Sequence, residues 1–252
     1  TFYIDPLGLH LSDGEQVGGF IGATFSREHS ILPKLIETLW AARDSAKREK
    51  NQALSYAIKI IMNSFYGVLG SAGCRFYDPK LATSITKRGH ELITRTQQFI
   101  EEQGYEVIYG DTDSVFVLVG ENPATECTHI GEKLAHQLND WWRDTLREEM
   151  ALESHLEIEF ETHYTRFFMP TIRGSQKGSK KRYAGLIRDE ADSYEVQFKG
   201  MESVRTDWTP LARRFQQELY RRIFLEEPYE DYVKSMAEGV LAGEYDGELV
   251  YR

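Results

Sequence analysis

The segment Tyr109-Gly110-Asp111-Thr112-Asp113-Ser114 constrains the fold of this chain more than any other stretch. It lies between two β-prone runs, residues 105–108 and 115–119, so the pattern predicts a strand, a tight turn and a second strand. Asp111 and Asp113 are two residues apart, so both carboxylates can point to the same side. Two adjacent carboxylates repel each other unless a cation lies between them, and oxygen ligands suit Mg²⁺. The turn therefore predicts a metal site for phosphoryl transfer, with a solvated Asp-Gly hairpin turn as the alternative.

The composition is that of an ordinary folded domain. The 252 residues are 41% hydrophobic and 28% charged, enough for one large or two small domains with a core. The net charge of −10 does not point to a nucleic-acid partner, although binding depends on where the basic residues lie. The two cysteines, Cys74 and Cys127, lie in unrelated contexts, which indicates a reducing compartment. The sequence has neither a run long enough to cross a membrane nor a signal-peptide pattern.

Apolar periodicity predicts the order of the elements. The glycine-rich residues 1–24 read as irregular connection, and a helix with one apolar face begins near Ser30. A second helix follows a polar break at 49–51, and so short a break predicts antiparallel neighbours. Further helices are predicted over 80–103, over 124–150 and from about Leu211 to the end. Strands are predicted over 156–160 and, as a pair, near 183–199.

Cations line both helices of this predicted hairpin. Arg43 and Lys47 are four residues apart on the first helix, and Lys59 and Asn63 are four apart on the second. Cations that converge on one strip repel each other unless a dense anion such as a nucleoside triphosphate binds there. Tyr66 adds an aromatic plane on which a base could stack, and Gly67 permits close backbone approach. A solvated basic helix face is the alternative interpretation.

A second basic segment precedes the last predicted strands. It contains Lys180-Lys181-Arg182-Tyr183, and no acid occurs between 171 and 188. That local charge suits a phosphate backbone, although a solvated surface loop is the alternative.

Three motifs in this order resemble those of family B DNA polymerases. They are Lys59-x-x-x-Asn63-Ser64-x-Tyr66-Gly67, the segment Tyr109 to Ser114, and Lys180 to Tyr183. Residues 65–70, 74–76 and 202–210 resemble the bacterial subgroup of the family. The resemblance covers essentially the whole chain.

The resemblance implies an α+β fold. Helical-hairpin fingers are inserted in a palm whose antiparallel β-sheet is flanked by helices, and the start of a helical thumb follows. The expected divisions are a connection at 1–30 after an upstream palm segment, fingers at 31–66, palm at 67–206 and the start of the thumb at 207–252.

The resemblance also implies an activity. A primer 3′-hydroxyl would attack the α-phosphate of a dNTP with the help of two Mg²⁺ ions, and pyrophosphate would leave. Asp111 and Asp113 fall on the catalytic metal ligands, and Tyr66 falls at the nascent base pair. Arg43, Lys47, Lys59 and Asn63 fall on positions that hold the triphosphate. The expected contacts to primer-template DNA are Gly67, Lys180, Lys181, Arg182, Tyr183 and Lys199.

Some features of the family have no counterpart in this sequence. The family carries another essential aspartate upstream, so the chain is expected to be a fragment that is inactive alone. The resemblance further suggests the bacterial cytoplasm, association with the nucleoid, and a sliding clamp bound through a missing C-terminal segment. Two alternatives stay open: a non-catalytic module that binds primer-template or a partner protein, and a metal-dependent phosphohydrolase.

Overall fold

The computed structural model describes residues 16–26, 32–171, 181–188 and 193–251. It combines helices with small antiparallel sheets, as the α+β prediction required. The helices are α1 (Leu32–Arg48), α2 (Gln52–Leu69), α3 (Pro79–Glu102), α4 (Ala124–Met150), α5 (Pro210–Phe224) and α6 (Glu230–Leu241). The strands are β1 (Gln16–Gly18), β2 (Thr24–Ser26), β3 (Glu106–Asp111), β4 (Ser114–Leu118), β5 (Arg166–Phe168), β6 (Tyr183–Arg188) and β7 (Tyr194–Lys199).

The chain divides into two compact units. The first contains the residues up to Val117 together with Leu138–Glu157, and the second contains Leu118–Gln137 together with the residues from Ile158 onward. Helix α4 runs through both units.

Helices α1 and α2 pack against each other as a hairpin, as the short polar break predicted. The Asn51 side chain caps α2 by accepting a hydrogen bond from the Leu54 amide at 3.1 Å. Lys50 adopts a left-handed backbone with φ of +55°, which lets the chain reverse direction. The apolar face of α2 is buried at Ile58 and Leu69, whereas residues such as Ile61 are exposed.

Helices α3 and α4 contribute buried residues to the interior of the first unit. Trp142 is almost fully buried there, and its indole Nε1 donates to the hydroxyl of Thr96 at 2.9 Å. Ile100 is buried to the same degree. A smaller cluster joins Phe25 of β2, Leu69 and Leu81, so the β1–β2 hairpin packs on α2 and α3.

The second unit is built on the three-stranded antiparallel sheet β5-β6-β7. Ala184 and Leu186 of β6 are completely buried and pack against Phe224 of α5. Gly185 between them leaves room for the ring of Tyr164, because a Cβ at that position would overlap the ring.

Three features differ from the sequence-based expectation. Residues 156–160, predicted as a strand, alternate in burial but belong to no strand formed by the described residues, so that prediction is wrong. Alternation indicates an extended backbone, but a strand also requires a continuous ladder of hydrogen bonds. Strands β1, β2 and β5 were not predicted, and the described residues form three small sheets where one was expected.

Among the described helices, we find none with the length and apolar character needed to cross a lipid bilayer.

Candidate active site

The two aspartates lie on the turn that joins β3 to β4. The Asp113 amide donates to the carbonyl oxygen of Asp111 at 2.5 Å, which closes the turn over the intervening Thr112. Thr112 has φ of +49°, a left-handed conformation that β-branched residues rarely adopt. Its hydroxyl donates to Asp111 Oδ1 at 3.0 Å and so orients that carboxylate. The hairpin thus places two acidic side chains, one half-buried and one exposed, on a tightly constrained turn.

Within the described residues, no three or more His, Cys, Asp or Glu side chains are grouped closely enough to hold an ion. Asp111 and Asp113 supply the oxygen donors that hard divalent cations prefer.

An open pocket of about 810 Å³ lies on the α1–α2 hairpin. It is lined by Arg43 and Lys47 of α1 and by Lys59 of α2, so the structure brings together three cations that the sequence placed on two helices. The remaining lining residues are Lys50, Gln52, Ala53, Ser55 and Tyr56. The lining therefore carries four positive charges and no acidic side chain.

The cations of this pocket are not neutralised by the protein in the described part of the chain. Arg43 Nε is buried and has no hydrogen-bond partner there. The side chains of Lys47, Lys50 and Lys59 likewise make no ion pair with any described residue. A buried donor without a partner is costly, so an anion in the pocket would stabilise this arrangement.

Asn63 and Tyr66 do not line this pocket. Asn63 is exposed farther along α2. The Tyr66 hydroxyl shares a 2.8 Å hydrogen bond with the Thr86 hydroxyl of α3, while 48% of the residue stays exposed. At Gly67 a Cβ would meet no atom within 4 Å, so the described fold does not itself require glycine there.

The predicted DNA-contact residues of the second unit lie near the start of β6. Lys180 lies outside the described residues, and Lys181 is exposed with φ of +64°. Tyr183 pairs with Lys199 across the β6–β7 register. Arg182 forms an ion pair with Glu202, a partner that sequence reasoning did not anticipate. Its role in DNA binding stays a prediction.

Tyr164 supports this end of the sheet. Burial, with the neighbouring Tyr183 as a second cause, raises the pKa of the Tyr164 hydroxyl above its ordinary value. The hydroxyl therefore stays protonated and donates to Gln197 Oε1 at 2.6 Å.

Sequence reasoning missed five residues of the pocket, among them Lys50 and Tyr56, whose side chains can donate to an anion. Lys50 lies inside the polar break, which we interpreted only as a helix boundary. Tyr56 precedes Lys59 by three residues, a spacing that places both on one helix face and could have identified it.

Comparison with known proteins decides the family. The model of DNA polymerase family B matches residues 18–244. The chain belongs to DNA polymerase family B. This confirms the resemblance inferred from the three motifs.

Two relatives and one solved structure show how much of a longer protein this sequence matches. DNA polymerase II of Escherichia coli (strain K12) is 54% identical over 258 residues, covering 100% of this chain and 33% of that protein. A DNA polymerase of Thermococcus gorgonarius is 30% identical over 253 residues, which cover 94% of this chain and 30% of that protein. The family B DNA polymerase of Pyrobaculum calidifontis superposes with a TM-score of 0.53 at 22% identity, over 92% of this chain and 27% of that one, which supports the fold alone. The chain thus spans about a third of the length of these relatives.

Proposed function

We propose that this family B chain is part of the polymerising core of a DNA-directed DNA polymerase. The α1–α2 hairpin would bind the triphosphate of an incoming dNTP. The observation that carries the proposal is the pocket in which Arg43, Lys47 and Lys59 converge with no acidic side chain in the lining. Such a pocket favours a ligand with several adjacent negative charges.

Three of the pocket cations, with Asn63 and Tyr66 farther along α2, would each contact part of the nucleotide. The planar guanidinium of Arg43 can donate two parallel hydrogen bonds to phosphate oxygens, whereas Lys47 and Lys59 act as point charges. Together they would offset the charge that develops on the β- and γ-phosphates as pyrophosphate leaves. Asn63 would add an amide donor, and Tyr66 would lie beside the nascent base pair.

Asp111 and Asp113 would hold divalent cations, for which Mg²⁺ is the best fit to an oxygen-only donor set. Two such ions, when bound, favour attack of the primer 3′-hydroxyl on the α-phosphate and stabilise the leaving oxygen. The protein's own contribution is to fix the turn, since Thr112 donates to Asp111 and the Asp113 amide closes the backbone. Primer-template DNA would contact Gly67, Lys180, Lys181, Tyr183 and Lys199, with Arg182 as a further candidate.

Magnesium-dependent primer extension tests the catalytic part of the proposal. We expect that this chain alone does not extend a primer and that a longer polymerase containing the upstream segment does. The reason is that the family resemblance implies another essential aspartate in that segment. In the longer form, Asp113→Asn should abolish extension; extension that survives would contradict the metal-site assignment. If the longer form binds primer-template without extending it, the non-catalytic module is favoured instead, and release of mononucleotides would favour the phosphohydrolase.

A second experiment separates nucleotide binding from DNA binding. Lys59→Ala should weaken use of dNTP while duplex binding changes little, because Lys59 lines the triphosphate pocket. Lys34→Ala is the matched control, since Lys34 is exposed on α1 and does not line the pocket. Equal loss of nucleotide and duplex binding in Lys59→Ala would argue against the triphosphate role.

A further inference from the structure

The pocket extends along α2 in one direction only. From Lys59 it continues toward the hairpin turn, where Tyr56, Gln52 and Lys50 line it. Asn63 and Tyr66 lie the other way, roughly 6 Å and 10 Å along the helix at about 1.5 Å per residue. Lys59 therefore lies between the positions expected near the base and the cations that surround the turn.

This arrangement assigns a direction to the bound nucleotide, and the inference rests on the proposed function. If the base lies near Tyr66, the triphosphate runs from Lys59 toward the turn. Its last phosphate then lies among residues that the three family motifs do not include. We propose that Lys50, with Tyr56, binds the terminal γ-phosphate of the incoming dNTP and so distinguishes triphosphates from diphosphates.

The turn holds Lys50 in place for this role. The Lys50 amide donates to the carbonyl of Lys47 at 3.0 Å, and the Lys50 carbonyl accepts from the Gln52 amide at 3.1 Å. The left-handed φ of +55° at a residue other than glycine carries a backbone cost, so packing and hydrogen bonds must maintain it. The ammonium group makes no ion pair with any described residue, which leaves its charge available to an anion.

Tyr56 adds a neutral donor to the same end of the pocket. Tyr56 lines the pocket, and 66% of the residue is exposed, so the protein does not shield it from a ligand. A phosphate has three terminal oxygens, and one ammonium with one hydroxyl can satisfy two of them.

The test is to titrate this chain with dAMP, dADP and dATP. Lys50→Gln removes the charge and keeps most of the side chain, and Lys34→Gln is the matched control on the same hairpin. We expect Lys50→Gln to weaken dATP binding about fivefold. The affinities for dADP and dAMP should stay within about twofold of those of the unsubstituted chain. Lys59→Gln should weaken dADP and dATP alike, and Lys50→Arg should retain dATP affinity. Tyr56→Phe, which removes only the hydroxyl oxygen, should weaken dATP binding by a smaller factor than Lys50→Gln does.

The nucleotide titrations distinguish failure of the γ-phosphate assignment from failure of the proposed function. If Lys50→Gln affects all three nucleotides equally, or none, while Lys59→Gln still weakens dATP, the γ-phosphate assignment is wrong and the proposed function survives. If neither variant weakens dATP, both fail. If Lys50→Gln weakens binding of single-stranded DNA and leaves dATP unchanged, the turn contacts nucleic acid and the γ-phosphate assignment is overturned.

Discussion

Arg182, the residue before strand β6, forms an ion pair with Glu202 in a short 3₁₀-helix that precedes α5. The other carboxylate oxygen of Glu202 accepts from the Gln216 side chain of α5 at 2.7 Å. The Glu202 side chain is 18% exposed, so its charge depends on these partners rather than on water. Arg182 thus joins the sheet of the second unit, through Glu202, to α5.

Replacement of Arg182 should therefore reduce stability. Arg182→Ala leaves a mostly buried carboxylate without its ion-pair partner, and we expect the free energy of unfolding to fall by about 1–3 kcal/mol in a denaturant titration. Lys199→Ala is the matched variant, because Lys199 is also a predicted DNA contact but is exposed. It should change the free energy of unfolding by less than about 0.5 kcal/mol. It should also reduce the slope of log binding constant against log salt concentration by about one, as expected for the loss of one phosphate contact. The reverse pattern would make Arg182 a DNA contact and not a structural residue.

Gly200 is required by the backbone beside this ion pair. Its φ is +60°, and a Cβ there would overlap the carbonyl oxygen of Lys181. Gly200→Ala should lower the free energy of unfolding by about 1–3 kcal/mol, since both strain and overlap oppose the methyl group. Gly247→Ala serves as the control, because a Cβ at Gly247 meets no atom within 4 Å. Equal stability of the two variants in urea would show that the Lys181 backbone moves freely.

Arg95 joins α3 to α4 in a way that lysine cannot reproduce. Its guanidinium donates to both carboxylate oxygens of Glu149, at 2.8 Å and 2.6 Å, and lies over the rings of Trp141 and Trp142. Arg95→Lys should lower the midpoint of thermal unfolding by several degrees although the charge is kept, because the planar fork and the ring contacts are lost. Arg143→Lys, a change in a more exposed arginine of α4, should leave the midpoint nearly unchanged. A shift of equal size in both variants would mean that charge alone matters.

Glu218 makes stability depend on pH. Hydrogen bonds from Arg221, with further ones from Arg222, hold the pKa of Glu218 at about 2, below its ordinary value of 4.5. Because the folded-state pKa is depressed, this stabilisation is fully present above pH 4.5 and is lost as the pH falls toward 2. Glu218→Gln should lower the free energy of unfolding at neutral pH by about 1 kcal/mol after allowance for solvent screening, and should flatten the acid limb of the stability curve.

The control for the pH experiment is Glu238→Gln, since Glu238 is exposed on α6. It should leave the acid limb unchanged. An acid limb that is identical in Glu218→Gln and in the unsubstituted chain would contradict the role of the Arg221 pair.

Local patterns in the sequence were sufficient for the helices and for the carboxylate turn. The predicted spans 80–103 and 124–150 agree closely with α3 and α4, because long amphipathic repeats identify a helix without reference to the rest of the chain. The three strands that were missed have three residues each, too few for a period of two to be visible. Residues 156–160 have the alternation of a strand, yet they belong to no strand formed by the described residues, because alternation alone does not establish a ladder of hydrogen bonds.

By itself, the sequence determined the family, the acidic turn and the identities of three cations of the pocket, since each depends on residue types at fixed spacing. Only the tertiary structure placed Lys50 and Tyr56 in the pocket that Arg43 lines, and only it paired Arg182 with Glu202. Those relationships depend on the distance between elements that are far apart in the chain or that meet across a turn. Spacing along one helix or strand carries no information about such distances, because packing and backbone reversal establish them.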